Sequence, residues 1–300
     1  MDTNRRKFLG LSLKVLGAAA AAEIGCRGRC ASAAAAATTE PAAAGAAIPA
    51  LTPNHQVVDA QTGLALPAVK TSVRQGVPNR KWIMVIDLAK CDGCGKCTVA
   101  CGKMHFIPPD RQFIKVLRMQ DSEKGSPYFL PQPCFHCDNP PCTKVCPVDA
   151  TFKRSDGIVL IDNERCIGCR FCMAACPYGA RSFNWNPPQD PPEALAKTYS
   201  PEDGLPRRVG TVEKCDFCPD MAEMGMLPSC TSGCPMGAIY YGDENEDAVT
   251  SGLGETLRLT KLLTDRSGYR QMEELGTKPR VYYLPPKNRQ FPGPVAPVKA

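Results

Sequence analysis

Histidine is nearly absent from this chain of 300 residues, which has only His55, His105 and His136. None follows a C-x2-C pair, so the attachment signature of a c-type haem does not occur. Also missing are a phosphate-cradling glycine loop and a nucleophile constellation, so no catalytic site can be read in the chain. The folded part has no Lys/Arg run with interleaved aromatics, and the formal charge of +6 is therefore not a nucleic-acid signature. Nothing near the C-terminus offers the roughly 20 apolar residues that cross a bilayer.

What the chain does have is sulfur. Of its 18 cysteines, all but Cys26 and Cys30 fall between Cys91 and Cys234, in four spaced groups. The first is Cys91, Cys94, Cys97 and Cys101. The second is Cys134, Cys137, Cys142 and Cys146, with one widened gap. The third, "CIGCRFCMAACP", holds Cys166, Cys169, Cys172 and Cys176. In the fourth, Cys215, Cys218, Cys230 and Cys234, the middle gap is wider still. A disulfide needs a partner at a set Cα separation and direction, which thiols crowded at every third residue do not provide. Zinc sites use paired C-x2-C knuckles without a third thiol three residues on. The run C-x2-C-x2-C-x3-C-P is instead the bacterial ferredoxin pattern, in which the fourth cysteine ligates the other cluster of a pair. Sixteen thiolates at four per cluster predict four [4Fe–4S] clusters. His105 and His136 lie beside thiols, where hydrogen bonding or packing is expected rather than ligation. Lys96, Lys103, Lys144, Arg165, Arg170, Arg181 and Lys214 lie within a few residues of the groups. Two readings stand for these cations: a scattered solvated surface, or charge that offsets anionic clusters.

The chain reads as an internal repeat. Short apolar runs, "KWIMVID" (81–87) and "GIVLID" (157–162), lead into groups one and three as strands. The phrases "CPVDATF", "CPYGARSF" and "CPMGAIYY" close groups two, three and four. Each predicts a turn and then a strand. A brief helix is expected between third and fourth thiols, ended by the proline. The Pro-rich stretch from Asn184 to Arg208 is expected to be a surface excursion. Leu257, Leu259, Leu262 and Leu263 have helical spacing, and "GTKPRVYYLPP" predicts a closing strand. With 29 prolines and 25 glycines, a loop-rich fold follows.

Residues 1–36 resemble a twin-arginine export signal: Arg5 and Arg6 precede Phe8, Leu9 and an Ala/Gly/Leu stretch. Ala31 to Ala33 offers a cleavage site. Cys26 has Glu23 where a lipoprotein box wants an aliphatic residue. Export would favour disulfides, but the twin-arginine route carries folded, cofactor-loaded proteins, and so reconciles export with reduced thiolates. Residues 37–78 are expected to be a flexible arm, 79–247 the cluster domain, and 248–300 a C-terminal helix with an extended tail.

Over residues 81 to about 285 the chain resembles the iron–sulfur subunits of the molybdopterin oxidoreductase superfamily. These serve the dimethyl sulfoxide, polysulfide, tetrathionate and formate-dependent nitrite reductase systems. The resemblance rests on "CDGCGKCTVAC", "CFHCDNPPCTKVCP", "DGIVLIDNERCIGCRFCMAACPYGAR", "KCDFC…PSCTSGCP", "YYGDENED" and "LGTKPRVYYL". It implies an α+β, loop-rich fold of two interleaved bacterial-type 2[4Fe–4S] ferredoxin-like modules, pairing groups one with four and two with three. It further implies clusters on Cys91, Cys94, Cys97 and Cys234; on Cys215, Cys218, Cys230 and Cys101; on Cys134, Cys137, Cys142 and Cys176; and on Cys166, Cys169, Cys172 and Cys146. Some relatives lose the second thiol of group three and hold a three-iron cluster, but Cys169 keeps it. Gly102 follows Cys101 where the other groups have proline. The implied role is an electron-transfer subunit on the periplasmic side, with no catalytic site of its own. It would link a molybdopterin-type catalytic subunit to an integral membrane subunit that interacts with quinone. The alternatives are a hydrogenase-linked subunit and a free soluble polyferredoxin.

Overall fold

The computed structural model describes residues 49–51, 57–59, 72–121, 123 and 125–287. All lie in the unit Gly45–Ala300. The signal segment, Cys26, His55 and the tail beyond residue 287 lie outside the described residues.

In chain order the elements are short. Strands β1 (Pro49–Leu51) and β2 (Val57–Asp59) pair antiparallel inside the segment expected to be a flexible arm. Farther along that segment Val77 is buried and its amide donates to Asp156 Oδ2 at 3.0 Å. Then come β3 (Trp82–Asp87), α1 (Lys96–Met104), β4 (Lys115–Met119), β5 (Tyr128–Gln132) and α2 (Pro141–Lys144). Next are β6 (Thr151–Lys153), β7 (Val159–Ile161), α3 (Phe171–Ala174), β8 (Ser182–Phe183), α4 (Pro192–Leu195) and β9 (Val212–Glu213). The described chain ends with α5 (Pro219–Glu223), α6 (Ser229–Ser232), β10 (Ile239–Asp243), β11 (Ala248–Ser251), β12 (Thr256–Arg258), α7 (Leu259–Asp265) and β13 (Val281–Leu284).

Five strands form the central sheet in the order β12-β11-β10-β3-β13. Strand β3 is buried almost throughout because both of its faces are covered. Alternate side chains of a strand point to opposite faces. Ile83 and Val85 accordingly pack with Tyr240, Val249, Leu259 and Leu262 under α7. Met84 and Ile86 face the other way, into the core that contains Cys97, Cys101, Cys137, Cys215, Cys230 and Cys234. The boundary expected at residue 247/248 runs through this sheet, since β11, β12 and β13 complete it. The other cluster-domain strands form the small pairs β4–β5, β6–β7 and β8–β9.

Three details differ from the sequence expectations. Leu257 belongs to a strand, paired with Val249, and helix α7 starts only at Leu259. Asp247 fixes that start, accepting from Thr260 N at 2.7 Å and Thr260 Oγ1 at 2.9 Å. The helix of group one is not brief. It continues through Cys101 because Gly102 leaves the backbone N–H that proline removes in the other groups. The Pro-rich insertion is strapped down rather than loose. Ala194, Leu205 and Arg207 are buried, and Arg207 pairs with Asp190 at 2.8 Å and Glu213 at 3.2 Å. It also donates to the backbone carbonyls of His105 and Phe106.

Candidate iron–sulfur sites

Each thiol loop turns back on itself at one recurring place. The residue immediately before the second cysteine is left-handed in all four groups: Gly93 (φ 79°), His136 (φ 42°), Gly168 (φ 70°) and Phe217 (φ 73°). Left-handed backbone costs an L-residue roughly 1–2 kcal/mol, which glycine avoids in two loops. In the other two, packing holds the conformation: the His136 and Phe217 rings stack with centroids 4.3 Å apart. Gly168 is constrained further, since a Cβ there would lie 2.2 Å from the Gly210 carbonyl oxygen.

These loops feed short helices that carry the third thiol, and the helices pair across the chain. Helix α1, with Cys97 and Cys101, packs on α6, with Cys230, while α2 packs on α3. The fold brings together thiols from different sequence groups. Cys134, Cys137, Cys142 and Cys176 line one cavity. Cys146, Cys166, Cys169 and Cys172 line another, so Cys146 has left its own sequence group. Cys234 is the largest neighbouring charge on both Cys91 and Cys97, and Cys94 also acts on Cys91. Cys101 is influenced by Cys230 and Cys215, and Cys218 by Cys230, Cys215 and Cys101.

All sixteen are free thiols. Burial pushes Cys97 up to about 11, and Cys137 and Cys230 up to about 12. Cys101, Cys215 and Cys218 are driven up as well, by burial first and then by neighbouring thiols and, for each of the three, Asp216. Cys146 is the exception. Burial acts to raise it, but amides of Thr151, Val148 and Ala150 hold it below the usual range. Such crowded buried sulfurs are poor free thiolates, whereas metal coordination deprotonates a thiol outright. The two cavities are walled by apolar and cationic side chains with no carboxylate. That donor chemistry fits a soft, thiolate-bound iron–sulfur centre and not an oxygen-seeking cation.

The two described histidines touch this machinery. His105 is buried, with Nε2 3.2 Å from Cys218 Sγ and Nδ1 3.3 Å from the Asp216 carboxylate. His136 accepts from Val159 N at 3.0 Å, and burial holds its imidazole well below the ordinary range. Of the nearby cations, Arg181 and Lys214 are buried among the sulfurs, while Lys96, Arg165 and Arg170 are exposed. Sequence reasoning did not anticipate Asp216 or the left-handed roles of His136 and Phe217. The C-x2-C spacing common to all four groups was the available signal.

Three family models of the 4Fe–4S dicluster domain match the chain, at residues 90–150, 126–189 and 158–235. Each spans two consecutive groups, so the joining of groups one and four is a feature of the fold rather than of any one match. The B subunits of two reductases are similar to this chain. That of the selenate reductase of Mesobacillus selenatarsenatis is 40% identical over 232 residues, covering 72% of this chain and 76% of the relative. That of the tetrathionate reductase of Salmonella typhimurium is 37% identical over 216 residues, covering 70% and 74%. The menaquinone reductase iron–sulfur cluster-binding subunit of Nitratidesulfovibrio vulgaris is 40% identical over 235 residues, covering 68% and 88%. With its ferredoxin-like loops and these relatives, the chain belongs to the iron–sulfur, electron-transfer subunits of the molybdopterin oxidoreductases and binds [4Fe–4S] clusters.

Proposed function

We propose that the sixteen thiols hold four clusters crosswise. The sets are Cys91, Cys94, Cys97 and Cys234; Cys101, Cys215, Cys218 and Cys230; Cys134, Cys137, Cys142 and Cys176; and Cys146, Cys166, Cys169 and Cys172. Each bound cluster supplies a one-electron carrier whose potential is set by charge, hydrogen bonds and exposure. The observation that carries the reading is the contiguity of the four sets. Cys97 acts on Cys230, Cys134 acts on Cys215, and Arg181 acts on both Cys142 and Cys172, so the sets form one row. The two inner sets contain only buried or half-buried thiols, and each outer set has one exposed thiol, Cys94 or Cys169. Sulfur exposed at both ends of a buried row suits electron delivery at one end and removal at the other.

In this reading the partners are a molybdopterin-type catalytic subunit and a membrane subunit that exchanges electrons with quinone. The name of the menaquinone reductase relative supports the quinone link, and the two other reductase relatives support the catalytic one. Around Cys169, the side chains of Ile167, Phe171 and Trp185 are exposed and form an apolar rim suited to docking. No helix of the described residues is long and apolar enough to cross a membrane, and attachment is assigned to the quinone-linked partner. The paired arginines, Arg5 and Arg6, support export in the folded state to the periplasm.

Anaerobic isolation from native membranes tests the proposal. The expected material is brown, with four irons for every four thiols in the sets above, and it copurifies with a larger molybdenum-containing subunit. A colourless or cluster-poor protein isolated as a monomer would overturn the reading.

A further inference from the structure

The phrase Cys-Pro-x-x-Ala closes groups two, three and four, and the residue after its alanine differs each time: Thr151, Arg181 and Ile239. The fold brings the first two together. Arg181 Nη1 donates to Thr151 Oγ1 at 3.2 Å, so the matching positions of groups two and three meet at the centre of their module. Arg181 lines the cavity of Cys134, Cys137, Cys142 and Cys176, while Thr151 lines that of Cys146, Cys166, Cys169 and Cys172. Thr151 N also points at Cys146 Sγ, at 3.5 Å.

Arg181 is only 6% exposed, and its Nη2 has no hydrogen-bond partner among the described residues. A buried, half-satisfied guanidinium is costly unless negative charge stands beside it. The thiols of Cys142 and Cys172, from two different sets, both feel its positive charge. In the module of groups one and four the matching position is Ile239, 1% exposed and without charge. There Cys215 lies between the buried Lys214 and the acidic Asp216, and Asp216 acts on Cys218 as well.

We infer that Arg181 is a shared counter-charge for the two clusters of the group-two and group-three module, raising both of their reduction potentials together. Adding an electron to a thiolate-bound cluster increases its negative charge. A fixed cation nearby favours the reduced form, and burial keeps that interaction from being screened by salt. Arg181 is a positioning residue rather than a ligand, and one guanidinium serves two sites because Thr151 anchors it between them. Ile239 leaves the matching position of the other module uncharged, and the buried cation that acts there on Cys215 is Lys214, from a different place in the repeat. The inference rests on the crosswise ligation proposed above.

The test is an EPR-monitored potentiometric titration of the assembled complex, comparing the parent with Arg181→Met. Two of the four midpoint potentials should fall, each by the equivalent of about a tenfold change in the reduction constant, about 59 mV for a one-electron couple. The other two should stay in place, and Arg181→Lys, which keeps the charge, should restore both. No shift, a shift of one component, an equal shift of all four, or a lysine variant as low as the methionine variant would overturn the inference. If Arg181→Met loses its iron, Arg181→Gln is read by the same criteria. A parent complex without four titrating components fails at the ligation step and overturns the inference with it. Four parent components with unmoved potentials in the variants leave the ligation standing and overturn the role of Arg181 alone.

Discussion

Gly233, at the end of α6, sits against Ala100 of α1 with no room for a side chain: an added Cβ would lie 2.5 Å from the Ala100 Cβ. This contact lets the helix bearing Cys97 and Cys101 approach the helix bearing Cys230. Gly233→Val should force the two apart, an overpacking cost of about 1–3 kcal/mol. The expected outcome is selective loss of the iron bound by groups one and four, with the other module's EPR components intact. Loss spread evenly over all components would show that the contact has no such local role.

Cys146 separates sequence grouping from spatial grouping. Cys146→Ser should alter the same EPR component as Cys169→Ser, and a different one from Cys137→Ser. If Cys146→Ser and Cys137→Ser perturb one common component, the crosswise sets are wrong.

Arg207 holds the Pro-rich insertion to the cluster domain. It is buried between Asp190 and Glu213, themselves almost fully enclosed. Arg207→Ala strands two carboxylates, and breaking such a pair costs about 3–5 kcal/mol. Denaturant unfolding of the anaerobic holoprotein should show that loss, and early proteolysis should fall between residues 186 and 208. A variant as stable as the parent would mean the strap contributes nothing.

Asp247 offers a titratable contact whose partners, Thr260 and Arg258, are not thiols. Hydrogen bonds from Thr260 N, then those from Thr260 Oγ1 and Arg258, hold its carboxyl below the usual range. A lowered carboxyl contributes stability that is present above its unfolded value and lost as pH falls through the lowered one. Asp247→Ala should therefore cost about 1 kcal/mol equally at pH 7 and at pH 5, both above the ordinary value of about 3.9. A cost that halves between those two pH values would contradict this assignment.

The sequence reading and the structure agree most closely where chemistry forces spacing. Strands β3 and β7 stand where "KWIMVID" and "GIVLID" placed them, because an unbroken apolar run bounded by turns has few alternatives. The strands after the three Cys-Pro phrases stand there too. Leu257 misleads because a strand that runs directly into a helix imitates a single helical period. The length of α1 hangs on Gly102, a missing proline whose effect spacing does not show. Arg181 and Lys214 can be placed near the thiols in sequence, but sequence separation does not say which cation is buried between two sets. His105 illustrates the limit: its sulfur neighbour is Cys218, 113 residues away.

The parallel pairing of β13 with β3 aligns Val281 with Met84 and Leu284 with Asp87. No nascent chain shorter than residue 284 can complete that sheet. Until then Met84 and Ile86, which face the thiol-bearing core, belong to a strand with one unpaired edge. A chain that stops short of β13 leaves β3 without its parallel partner and the central sheet one strand narrower.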